Sequence, residues 1–160
     1  MYPRRIESFE SIERVDETGL TGPQKIALQN GWRIIKTQAT YHATNIFLAF
    51  FGKYPKYFSV FAARAKSQSR ENEALHAHPS WVVAKFGTLI EEGLWDTGKF
   101  NASIQMIVKR HKRRLLKKSD IECMVSTVNQ YFKKVLERYM TPTLSAALDN
   151  LCNKLLDNYV

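Results

Sequence analysis

Between residues 119 and 139, apolar side chains recur at Ile121, Met124, Val125, Val128, Phe132, Val135 and Tyr139. Steps of three and four bring these positions to one face of an α-helix; the two-residue repeat of a strand would scatter them over both faces. So continuous a stripe is stable in water only when other elements cover it, which commits the chain to a packed domain. Ser119 is the expected N-cap. The remaining stripes have the same period. Thr141 and Pro142 open a last helix bearing Leu144, Leu148, Leu151, Leu155 and Tyr159. Thr21 and Gln24 form a capping box ahead of Leu28, Trp32 and Ile35. A second run carries Ala43, Ile46, Phe47, Phe50 and Tyr54 and stops before Pro55. "PKYFSVF" reads as a short helical turn leading to a loop, and the polar "RAKSQSRENE" separates it from the next stripe. That stripe lies at Leu75, His78, Val82, Phe86 and Leu89, and another at Ile104, Ile107, Val108, His111 and Leu115. No segment alternates like a strand. The fold class is all-α.

A chain of 160 residues with 44% apolar and 12% aromatic side chains can bury a core as one domain. Residues 1–19 are polar, mixed in charge and without a period; they are expected to be a flexible extension, with residues 20–160 as the domain. The most apolar run, "IFLAFF" at Ile46–Phe51, is broken by Gly52 and Lys53, so no membrane span is expected. The N-terminus lacks the apolar block of a secretory signal. Cys123 and Cys152 form no disulfide framework and lie beside the stripes of two helices, where buried, reduced thiols are expected. The cytosol is the simplest compartment.

The net charge is +9, and residues 109–118, "KRHKRRLLKK", hold seven cations and no acid. That concentration makes the basicity local. On a helix, positions 104, 107, 108, 111 and 115 share a face, so His111 points with the isoleucines while its basic neighbours fall on the flanks and back. His78 occupies the matching place on the preceding long helix, between Leu75 and Val82. Buried imidazoles need partners. A core hydrogen bond would satisfy each. Alternatively, two histidines facing inward from successive helices approach one cofactor from opposite sides. Burial and surrounding cations favour the neutral imidazole, a good iron ligand. His76 should face solvent if His78 faces in, and His42, opening the second helix, is expected to be exposed. No close pair of histidines or cysteines has zinc-ligand spacing.

These residues, taken together over about residues 20–160, resemble a globin. Leu20, Thr21 and Trp32 are similar to the opening of a globin A helix. "FLAFFGKYPKYFSVF" resembles the B–C region, with its helix-breaking Pro55 and the phenylalanine that packs on haem at Phe61. "ALHAHPSWVVAKFGTLI" resembles the E helix, with the distal histidine at His78 and the pocket valine at Val82. "IVKRHKRRL" resembles the F helix, with the proximal histidine at His111, and "MTPTLSAALDNL" the start of the H helix. The likeness is greatest to intracellular globins of invertebrates, insects among them. One departure is Pro79, directly after His78, which is expected to kink or restart that helix.

The resemblance implies a three-on-three helical sandwich around haem b. It implies His111 on iron, His78 beside the bound gas or competing with it as a sixth ligand, and an apolar cleft of Phe61, Val82, Phe47, Ile107 and Leu116. Trp81 falls near the haem edge, with Arg113 or Arg64 as the cation for a propionate. Phe50, Phe51, Phe86 and Trp32 are expected to be packing residues outside the site. The implied function is reversible binding of dioxygen or another diatomic gas for transport or storage. The protein is then not an enzyme, a nitric-oxide dioxygenase-type or peroxidase-like side activity aside. A six-coordinate site would instead suit sensing, electron transfer or nitric-oxide chemistry. No nucleic acid or membrane partner is expected, and a homodimer is compatible. The competing reading is a haem-free helical module that binds nucleic acid or acidic surfaces through residues 109–118.

Overall fold

The computed structural model describes residues 14–67 and 71–160; the side chains of residues 60 and 63–78 lie outside that description. Among the described residues there are seven α-helices and no strand. They are α1 (Gly22–Lys36), α2 (Ala39–Lys53), α3 (Pro55–Ser67), α4 (Glu71–Thr88), α5 (Thr97–Arg113), α6 (Lys118–Val135) and α7 (Pro142–Asp157). The starts reflect the local chemistry. Thr21 Oγ1 accepts the Gln24 N–H at 3.3 Å while Gln24 Oε1 accepts the Thr21 N–H at 3.1 Å, completing the capping box. Thr141 Oγ1 accepts the Leu144 N–H at 3.1 Å, and Pro142 supplies a helical φ where no donor is needed.

Several boundaries differ from expectation. Helix α6 starts at Lys118, because the Asp120 carboxylate accepts the Lys117 N–H at 2.8 Å and takes the capping role expected of Ser119. It ends at Val135, so Tyr139 sits exposed in a 3-10 turn (Glu137–Tyr139), not on the stripe. The "PKYFSVF" turn is the front of a thirteen-residue helix, α3. Helix α4 runs through Pro79 without restarting; only the bond that its missing N–H would make to the carbonyl one turn earlier is forfeited. The chain then widens into a π turn (Leu89–Gly93). Helix α1 holds that turn: Trp32 Nε1–H donates to Glu91 at 3.0 Å and Gln29 Nε2 to the Ile90 carbonyl at 3.3 Å.

The helices form two layers. Helices α2, α6 and α7 lie side by side, α2 against α6 and α6 against α7. Across them pack α1, on α7, and α4, on α2, with α5 joined to α4 through the π turn. This is the expected three-on-three sandwich. Its dry interior centres on Leu28, Ile35, Ile46, Leu89, Phe100, Ile104 and Leu151. Cys152 is buried and Cys123 half-buried, both as free thiols. Burial pushes the Cys152 thiol up to about 12.

The folded body begins earlier than expected. Thr18 is buried, its N–H bonds the Asp16 carboxylate at 2.9 Å, and Asp16 pairs with the buried Lys25 of α1. Residues 16–19 therefore belong to the domain, and residues 1–13 lie outside the described residues.

Candidate functional site

Helix α5 ends in a Schellman turn. The Leu116 N–H reaches the His111 carbonyl at 3.4 Å and the Leu115 N–H the Lys112 carbonyl at 3.0 Å, with Leu115 in the left-handed region at φ 61°. That residue was expected on the buried stripe; the turn instead ends the helix at Arg113 and leaves Leu115 exposed. His111 is thus on the last turn of α5, fixed by its own carbonyl. Tyr159, next to the C-terminal residue, donates its hydroxyl to the Leu116 carbonyl and ties the same corner to the end of the chain.

His111 faces a cavity of about 180 Å³ that opens to solvent. Its wall is apolar: Phe47, Phe50 and Phe51 from α2, Phe61 from α3, Val82 and Phe86 from α4, Ile107 from α5. Leu116 and, from α6, Ile121, Met124, Val125 and Val128 close the opposite side. The aromatic rings support one another, Phe47 edge-on to Phe51 at 5.6 Å and Phe50 stacked on Tyr57 at 5.1 Å.

His111 Nδ1 lies 2.7 Å from the Ile107 carbonyl. A carbonyl only accepts, so Nδ1 carries the proton and the lone pair of the neutral ring resides on Nε2. Burial pushes the pKa of His111 below the usual imidazole value, the Ile107 carbonyl opposes this, and Arg114 and Arg110 lower it further. At neutral pH the ring is neutral, with its tautomer set by the Ile107 carbonyl.

Three cations, Lys85, Arg110 and Arg114, enter the cavity wall. The Arg110 guanidinium lies over the Trp81 ring at 4.4 Å and Lys85 Nζ at 5.5 Å from it. Among the described residues the acid in the wall is Asp120, which accepts the Tyr57 hydroxyl at 2.6 Å. That bond and the Lys117 N–H hold the Asp120 carboxyl below its ordinary value, and burial with the adjacent carboxylate pushes the Tyr57 phenol up.

Of the residues expected in the site, His111, Phe61, Val82, Phe47, Ile107 and Leu116 converge on the cavity. Arg113 does not: it is exposed and outside the wall, whereas Arg114 and Arg110 line it. The side chains of His78 and Arg64 fall outside the described residues, as do those of Leu75 and His76. Phe50, Phe51 and Phe86, expected as packing alone, line the cavity, whereas Trp32 lies in the core away from it. Sequence reasoning also missed Tyr57, Lys85 and Met124. Position 85 lies seven residues after 78 on one helical face, a signal that could have found the lysine. His42 is 6% exposed, not exposed as expected, because Tyr131 of α6 covers it and bonds its Nδ1 at 2.8 Å.

A family model for Globin matches residues 44–158, which include every described wall residue. The chain belongs to the globin family. Globins as a family bind haem and, through it, diatomic gases. No curated protein matches the chain.

The cavity fits such a group by its chemistry. An apolar wall suits a porphyrin face, a neutral histidine with a free Nε2 suits iron, and the cations at the mouth suit the two propionates. Among the described residues no helix is long and apolar enough to cross a membrane, and no cluster of three metal-ligating side chains offers a different metal site.

Proposed function

We propose that this protein holds haem b in the α2–α6 cavity and reversibly binds dioxygen or another diatomic gas, with His111 as the proximal ligand. The carrying observation is the bond from His111 Nδ1–H to the Ile107 carbonyl, in an apolar wall, which leaves Nε2 to ligate. When bound, haem supplies ferrous iron, the centre that takes up the gas. The chain's own residues do the rest. The phenylalanines of α2 and α3 exclude water. Lys85, Arg110 and Arg114 neutralise the propionates. The Ile107 carbonyl keeps the proximal imidazole in one tautomer and orientation.

His78 is proposed as the distal residue, donating a hydrogen bond to the gas. Support comes from its position one helical turn before Val82, a wall residue of the same helix. Binding without turnover is the proposed activity. Two free thiols, one with its pKa raised by burial, support a reducing compartment, the cytosol. From the resemblance in the E and F segments, we assign the protein to the intracellular type found in invertebrates.

The test is an absorption spectrum of the recombinant chain folded with hemin and passed through gel filtration. A Soret band that survives in the wild type and is lost or shifted in His111→Ala supports the reading; colourless wild-type protein overturns it. The visible bands of the deoxy ferrous form then count the axial ligands, five for His111 alone and six if His78 also binds iron.

A further inference from the structure

Helix α2 is uncharged on both sides. Its inward row, Ala43, Ile46, Phe47 and Phe50, is buried, and the helix packs on α4 and α6. Its outward row, Tyr41, Thr44, Leu48, Ala49 and Gly52, is exposed, and residues at those steps of three and four share one face. The single Lys, Arg, Asp or Glu of the helix is Lys53, its last residue. Each of the other six helices carries three or more. Tyr41 is 61% exposed and Leu48 65%. One turn after Leu48, the half-buried Phe51 meets Phe58 of α3 edge-on at 5.3 Å, and Phe58 is 46% exposed. A helix without a charged face is one that is covered all round. The described residues leave the outward row of α2 open.

We propose that this face binds a second copy of the chain, the two α2 helices meeting across a two-fold axis beside Thr44 and Leu48. Charge selects the occupant. Copies that each carry +9 repel wherever charged surfaces meet, so they associate on a face that has no charge. A two-fold contact also sets each group near its own counterpart, so every group must suit itself. Leu48 packs on Leu48 without a polar cost. The hydroxyls of Tyr41 and Thr44 both donate and accept, so each can pair with its own kind. An acidic protein or a nucleic acid would instead be drawn to the cations of residues 109–118, at the α5–α6 corner and not on this row.

The size of the patch sets the strength. Tyr41, Leu48 and Phe58 expose roughly 350 Å² between them, taking about 200 Å² for a whole large side chain. With Phe51, Thr44 and Ala49 around them, two copies bury roughly 1000 Å² in all, the low end for a specific contact. A reversible dimer with a dissociation constant on the order of 10 µM is therefore expected.

The full-length chain, folded with hemin, is followed by sedimentation equilibrium from well below that concentration to well above it. The mass should rise from 18.5 kDa towards twice that value. Leu48→Arg sets two guanidinium groups against each other and should raise the dissociation constant tenfold or more. Its urea midpoint at low concentration should match the wild type, because Leu48 is exposed in the single chain. Thr44→Cys should cross-link into a dimer under mild oxidation, and Asn101→Cys, on an exposed position of α5, should not. A chain that stays at 18.5 kDa throughout overturns the proposal. So does a dimer that tolerates Leu48→Arg, or one in which Thr44→Cys cross-links no faster than Asn101→Cys. A chain that remains single but is carried down by phosphatidylserine vesicles, and is released by Leu48→Ser, has a membrane on this face and overturns it too.

Discussion

Replacing Gly87 by alanine places a methyl carbon 2.7 Å from Trp32 Cζ2 and 3.3 Å from Cε2. Trp32 is buried and held by its bond to Glu91, so the indole retreats only by giving up that contact. Overpacking of this kind costs about 1–3 kcal/mol. Alanine's advantage over glycine inside a helix returns about 0.5–1 kcal/mol. The net expectation for Gly87→Ala is a loss of about 1–2 kcal/mol, which for a domain of this size lowers the melting temperature by about 3–8 °C. Gly52 is the control. A β-carbon there meets no heavy atom within 4 Å, so Gly52→Ala should gain about 0.5–1 kcal/mol. Urea unfolding followed by circular dichroism measures both, and tryptophan emission reports the disturbance at Trp32. If the two variants are stabilised alike, the indole of Trp32 does not lie against Gly87 and the reasoning fails.

Tyr159→Phe removes the bond to the Leu116 carbonyl and should cost about 1 kcal/mol in urea unfolding. Because the same corner fixes His111, hemin should also leave the variant faster; an unchanged off-rate would separate the corner from the site. Asp16→Ala strands the buried Lys25. Asp16 is itself partly exposed, so the loss should be about 1–2 kcal/mol, recovered when Lys25→Met is added. His42 and His111 both have pKa values held below 6.5, the first by burial, the second chiefly so. The unfolded chain therefore binds protons that the folded chain refuses. Their contribution to stability is full above pH 6.5 and is lost as pH falls through the lowered folded values. Urea midpoints of the haem-free protein that rise on mild acidification would contradict this.

What could be read along the chain is what local chemistry decides. The stripes from Ile121 to Phe132 and from Leu144 to Leu155 became α6 and α7, and the Thr21 and Thr141 caps stand where their side chains require. The inward face of Ile104, Ile107 and His111 is also a local property of α5. What escaped depends on neighbours distant in sequence. Nothing near His42 foretells Tyr131, and nothing near Asp16 foretells the buried lysine nine residues on. Phe50, Phe51 and Phe86 look like any core aromatics until helices α2 and α4 cross and leave a space between them. The end of α5 at Arg113 turns on one residue's left-handed φ at Leu115, a position where sequence would lead one to expect glycine. Arg114 and Arg110 also qualify the solvated-face reading of the basic run, since two of its seven cations belong to the cavity.

The most direct measurement is hemin titration of the wild type and of His111→Gly, followed at the Soret band, with the variant repeated in free imidazole. The wild type should saturate at one hemin per chain, the variant should show an altered or absent band, and imidazole should restore the wild-type spectrum. A variant whose spectrum matches the wild type without imidazole would contradict His111 as the ligand.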